Sequence, residues 1–141
     1  MSNRTLALAA IALFGLSAAA LAQDPRSEGW SFGAAQYQAR CAACHGAKGK
    51  GDGTAAKQAK LTVPDITTYA KRNGGKFPVE LAWQKIDGRP ASFDAERSMP
   101  TWGREFRHEA LANVSATAKP ESYVAAEIFA IIEYMKGLQV K

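Results

Sequence analysis

What the chain has little of narrows its reading before any motif is considered. Its 141 residues hold two cysteines, Cys41 and Cys44, and two histidines, His45 and His108. A zinc site built on the cysteine pair would need a second pair of Cys or His ligands, and only His108 is left. Strand signals are nearly absent. The strand–helix alternation that surrounds a thioredoxin-like dithiol is therefore missing as well. No internal repeat or low-complexity tract follows the N-terminal segment. The formal charge is +5, which is basic but far from the density of a nucleic-acid-binding surface. Residues 46–53 contain four glycines, yet they lack the Lys-Ser/Thr ending and helical context of a phosphate loop.

Residues 1–22 read as a signal peptide. Arg4 supplies the positive start, residues 5–20 are uncharged and rich in Ala and Leu, and Ala20-Leu21-Ala22 fits a small-x-small cleavage pattern. An anchor helix is the alternative, since about 18 apolar residues can just span a bilayer. The alanine-rich run and its cleavage pattern favour export to the periplasm, with no stable membrane insertion after the cut. Cleavage before Gln23 leaves residues 23–141 as one domain. Only Arg4 is lost among the charges, so the remaining chain carries +4.

Around Cys41-Ala42-Ala43-Cys44-His45 the rest of the chain has to be organised. Two cysteines three apart with a histidine after the second form the attachment signature of c-type haem. Each thiol can add to one vinyl group of the porphyrin, and the spacing lets both reach along one edge. His45 then projects its imidazole at the iron, and the small Ala42 and Ala43 let the chain lie against the macrocycle. The competing uses of such a pair are a redox or structural disulfide. Export fits attachment, because haem consumes both thiols. Two ionised propionates would bring the net charge to about +2.

The remaining chain reads as helices and turns. A helix is expected over residues 31–43, capped by Ser27 or Ser31, with Gly33, Tyr37 and Cys41 on one stripe. Glycine inside a helix costs about 1 kcal/mol relative to alanine, so a second helix should approach closely at Gly33. Residues 46–53 suit a turn-rich wrap beside the haem. Short helical turns are expected over 55–61, ended by Pro64, and over 65–69, with a break at Asn73-Gly74-Gly75. Pro78 suits the first position of a helix running to Ile86 and closed by Gly88, burying Val79, Ala82, Trp83 and Ile86. Residues 89–99 read as a loop. The last helix, over 120–137, presents Ile128, Ile131, Ile132, Met135 and Leu138, flanked by Phe129 and Tyr134, and is the natural partner of the Gly33 stripe. The fold class is all-α.

In this order and spacing the chain resembles the class I monohaem c-type cytochromes, particularly the small bacterial soluble ones. The resemblance covers nearly all of residues 23–141. It is carried by Gly33-Tyr37-Cys41, the run from Cys41 to Gly46, Gly49-Lys50-Gly51-Asp52-Gly53, Ile86-Asp87-Gly88, Met99-Pro100-Thr101-Trp102-Gly103 and Tyr134-Met135. It implies a cytochrome c fold, with three main helices and loops wrapped around one covalently attached haem c. It also implies His45 on one face of the iron and the Met99 thioether on the other. One departure is the polar stretch over residues 104–119, which contains His108. It reads as an extra helix or a docking elaboration.

Three side chains could occupy the sixth iron position: Met99, Met135 and His108. Met135 falls where the last helix needs a core residue, and His108 lies in a charged run suited to solvent. Met99 is an apolar thioether in a polar loop, stiffened by the following proline, and iron gives it a reason to point inward. Tyr69, Trp83 and Trp102 read as pocket packing, and one of them or Arg89 as a propionate partner. Lys48, Lys50, Lys57 and Lys60 form either a solvated face or a docking rim. The expected function is that of a monomeric, single-haem electron carrier with no bond-making chemistry of its own. It would meet redox proteins that offer an acidic face. The rivals are a haem subunit or anchored module of a larger complex, and an open-iron haem enzyme such as a peroxidase.

Overall fold

A computed structural model describes residues 25–89, 99–113 and 119–140. The expected signal segment and most of the expected 89–99 loop lie outside the described residues. Helices and turns make up the chain, with no strand among the described residues. α1 (Pro25–Arg40) begins six residues before the expected start. Ser27 and Ser31 therefore lie inside the helix, not at its cap. Pro25 opens it instead, where a fixed φ suits the first turn and no amide hydrogen is wasted. The Cys41 amide still bonds the Tyr37 carbonyl at 2.8 Å, and one further turn follows as α2 (Ala42–His45).

The glycine-rich segment then folds back onto α2. Gly51 N–H donates to the His45 carbonyl at 2.8 Å and Gly53 N–H to the Cys44 carbonyl at 3.1 Å. α3 (Thr54–Gln58) is shorter than expected. An extended stretch leads to a 3-10 turn at Ile66–Thr68, which the Asp65 carboxylate caps by accepting from the Thr67 amide. α4 (Tyr69–Arg72) follows and ends at the Asn73-Gly74-Gly75 break. α5 (Val79–Asp87) starts one residue after Pro78 and stops at Gly88, whose φ of 63° is left-handed. Ala82 and Ile86 are buried on it as expected, but Val79 is exposed. It is the first residue of the helix.

The polar stretch after Met99 forms α6 (Trp102–Asn113), which buries Gly103, Phe106 and Ala110 on one stripe. It is a packed helix with a solvent face. α7 (Pro120–Gly137) has the expected bounds, and Ile128, Ile131, Ile132 and Met135 are buried on it. Helices α1, α5 and α6 all pack on α7. Of the residues expected to flank its apolar face, Phe129 is half-exposed against Trp83, with ring centroids 4.8 Å apart. Tyr134 packs between Trp30 and Tyr37 with tilted rings, its centroid 5.1 Å from each of theirs.

α1 crosses α7 at Gly33, where a β-carbon would run into the Ala130 carbonyl and crowd Tyr134. The steric conflict involves backbone, so it is relieved only by moving a helix. Gly33→Ala is expected to destabilise the protein by about 1–2 kcal/mol. Overpacking costs about 1–3 kcal/mol, and alanine's better helix propensity returns part of it. Urea denaturation should show a lower midpoint with an unchanged slope. A midpoint that stays or rises would mean that the crossing tolerates a methyl group.

Candidate cofactor site

The end of α1, α2 and four more distant segments enclose a cleft of about 490 Å³. One wall carries Arg40, Cys41, Cys44 and His45, and the extended stretch Leu61, Thr62, Val63 and Pro64 lines another part. Tyr69, Lys85, Met99, Pro100 and Trp102 complete it. A small inner extension of about 40 Å³ reaches Tyr37, Ile66, Ala82, Ile86, Ile131 and Met135. Such a volume, mostly apolar with a few polar groups, is the usual form of a cofactor site.

Cys41 and Cys44 are free thiols at the cleft wall. Burial pushes the Cys41 thiol up to about 12, against a partial pull downward from Arg40. A redox-active Cys-x-x-Cys pair works through a low-pKa thiolate, and this environment does the reverse. His45 is half-buried, and burial holds its imidazole below the ordinary histidine range. The Pro64 carbonyl pulls it back up in part, without completing a hydrogen bond to the buried Nδ1, which has no partner. Buried polar atoms are normally satisfied. A neutral imidazole in a cleft with two thiols beside it suits a group that takes an imidazole ligand and two thioethers.

Local structure holds this wall in place. Tyr37 is fully buried, and its hydroxyl donates to the Gly46 carbonyl at 2.9 Å. Burial, with Cys41 adding to it, keeps that phenol protonated. Gly46 itself has a φ of 79°, a left-handed value that any side chain would strain. Opposite α2, the Ile66 amide bonds the Gly49 carbonyl at 2.9 Å, and Lys50 Nζ donates to Thr67 Oγ1 at 2.9 Å. The C-terminal tail clamps the same turn, with Gln139 bonding both the Ile66 carbonyl and the Ala70 amide.

The three side chains weighed for the sixth position lie in different places. Met99 lines both parts of the cleft, together with His45. Met135 is buried in the α7 core and touches only the inner extension. His108 is exposed on α6 and is not among the cleft residues. Tyr69 and Trp102 line the cleft as expected, but Trp83 packs on Phe129 instead. Arg89 is held by Asp87 at 2.6 Å and Glu121 at 2.9 Å, away from the cleft lining. Sequence reasoning passed over Lys85 and the 61–64 wall. The only signal for Lys85 was its place next to buried Ile86, and an extended segment of mixed polarity gives none.

The chain matches the family model for cytochrome c over residues 31–139, and it belongs to that family. No curated protein and no solved structure matches it. The fold is the all-α cytochrome c fold, the cofactor is covalently attached haem c, and the general role is haem-based electron transfer.

The tyrosine behind the haem-side turn is directly testable. Tyr37→Phe removes one of two donors to the Gly46 carbonyl, which keeps the Gly49 amide at 3.1 Å, so the loss is that of one buried hydrogen bond, about 0.5–1.5 kcal/mol. Equilibrium denaturation should register a loss of that size. A change under about 0.5 kcal/mol would mean that water or a backbone shift replaces the hydroxyl.

Proposed function

We propose that this protein is a periplasmic, single-haem electron carrier, exported through residues 1–22. Cys41 and Cys44 would hold the haem by thioether bonds, with His45 and Met99 as the axial ligands. The observation that carries this reading is the convergence of all four side chains on one cleft. Bound there, haem c supplies a ferric/ferrous couple that exchanges one electron at a time. The chain's own part is to fix and shield that couple. A thioether ligand favours a higher potential than a second imidazole, and a filled sixth position favours electron transfer over small-molecule chemistry. Apolar Leu61, Val63, Pro64 and Pro100 offer apolar lining to the haem.

Partner docking would use the lysines near the haem motif. Lys48, Lys57 and Lys60 are exposed. Lys50 is tied to Thr67 and lies 3.6 Å from Asp65, so part of its role is to clamp the loop. The hydrogen bonds from Thr67, with Lys50 adding to them, hold the Asp65 carboxyl below its ordinary value. Among the described residues no helix is long and apolar enough to cross a membrane. The carrier is read as a monomer that meets redox proteins bearing an acidic face.

Three outcomes follow for the loaded protein. Haem should survive acid-acetone extraction, and Cys41→Ala with Cys44→Ala should release it. Met99→Ala should let carbon monoxide bind the reduced protein and should lower the potential, while Met135→Leu and His108→Ala leave the ligation spectrum unchanged. Carbon monoxide binding in His108→Ala alone would overturn the Met99 assignment. Association with an acidic partner should slow as salt rises, since exposed charges are screened over about 8 Å at physiological strength. Lys48→Glu with Lys57→Glu should slow it further without moving the potential, and a rate insensitive to salt would reduce the lysines to a solvated face.

A further inference from the structure

Glu127 is a carboxylic acid in the wrong place for a surface residue. It lies on α7 among the core residues, 3% exposed, and its Oε2 has no hydrogen-bond partner. The Tyr123 hydroxyl, one turn earlier on the same helix, bonds its carboxyl group. From the helices packed on α7, two charged groups face it: Arg40 of α1 and Glu109 of α6. Arg40 is already committed. Its two terminal nitrogens meet the two Glu109 oxygens at 2.9 Å each, and its Nε donates to Gln36 at 2.8 Å. An ionised Glu127 would thus be a second carboxylate on one paired cation.

The cluster adjoins the cofactor cleft. Arg40 precedes Cys41 in the chain and lines the cleft, and its guanidinium lies over Trp102, another cleft residue, 5.8 Å from the ring centre. With Glu127 ionised the triad carries one net negative charge, and with Glu127 protonated it carries none. Haem held in the cleft that Arg40 lines would bring one more negative charge to that cleft on reduction. Glu127 is buried and Arg40 and Glu109 are partly buried, so that repulsion is screened less than between fully exposed charges.

We propose that Glu127 is a redox-linked proton site, binding a proton when the haem is reduced and releasing it when the haem is oxidised. The inference rests on the reading of this chain as a haem electron carrier. Reduction takes one electron from the donor protein and one proton from solvent; the iron goes from ferric to ferrous and the Glu127 carboxylate becomes the acid. Oxidation by the acceptor returns both. Burial first, and then Glu109, push the Glu127 carboxyl above its ordinary range, while Tyr123 and Arg40 pull it back. The exchange therefore falls above the ordinary carboxylate pH.

The test is a redox titration of the holoprotein against pH, run beside reduced-minus-oxidised infrared spectra of protein carrying isotope-labelled glutamate. In the wild type the potential should fall as pH rises through this window. The fall is at most tenfold in the electron equilibrium per pH unit, or 59 mV for one electron. A glutamic acid band should appear on reduction. Glu127→Gln should flatten the window and abolish the band. Should that variant fold poorly, Glu109→Gln removes the repulsion and frees Arg40, so the window should move to lower pH. A slope unchanged in both variants, or no labelled carboxyl signal on reduction, overturns the proton site. A haem that does not cycle reversibly by one electron overturns the carrier reading as well, whereas a reversible couple with unaltered slope overturns the proton site alone.

Discussion

The close crossing of α1 and α7 sets the geometry of everything around the cleft. At Gly33 the two backbones approach to a distance that leaves no room for a β-carbon, so the helices cannot slide without separating. Four residues on, Tyr37 faces Tyr134 and reaches the Gly46 carbonyl. Four more residues on, Cys41 stands at the cleft wall. One helical stripe thus joins a packing contact, a hydrogen bond and a cofactor-facing thiol, in that order along the axis. A shift at the crossing would be felt at the thiol.

The wall beyond the crossing is held by short polar ties. Residues 46–53 close on α2 through backbone bonds and on the 3-10 turn through Gly49 and Lys50, while Gln139 fastens that turn to the end of α7. The chain therefore meets itself three times around His45 with little regular structure. Apolar side chains face the cleft between these ties. The combination suits a group that itself supplies apolar surface, because residues 46–68 contain only short helical turns and bury few side chains of their own.

α6 gives the molecule its individual character. It buries Gly103, Phe106 and Ala110, Gly103 lying against Asp87 and Arg89, it packs on both α7 and α5, and its Glu109 pairs with Arg40 behind the cleft. Arg40 lies over both Trp102 and Phe106. A guanidinium stacked on two rings and bound by a carboxylate is fixed in position. The helix thus brings a charge pair against a core that already holds Glu127. Its outer face carries His108 and Arg107, the latter paired with Glu121.

Much of this was legible in the sequence because it is local. The Cys41-to-His45 spacing, the i, i+4, i+8 stripe at Gly33, the apolar face of the last helix and the stop at Gly88 each follow from a few neighbouring residues and their dihedral preferences. Even the close helix approach at Gly33 could be read, since glycine in a helix interior has a cost that something must offset. Less certain boundaries failed for local reasons too, as at Pro25, where a favourable first helical residue was passed over for two serines. What the sequence could not decide is which distant segments share a surface. Nothing in residues 61–64 marks them as a cleft wall, and nothing in Trp83 says that it packs on Phe129 while Trp102 faces the cleft. Arg40, Glu109 and Glu127 are 18 or more residues apart along the chain, and their meeting depends on how α1, α6 and α7 cross. The sequence by itself determined the class of cofactor and the helices that carry it, through spacing and period. Only the tertiary structure decided which charged groups meet beside that cofactor and that Glu127 among them is buried, because burial and pairing are properties of packed helices and not of any one of them.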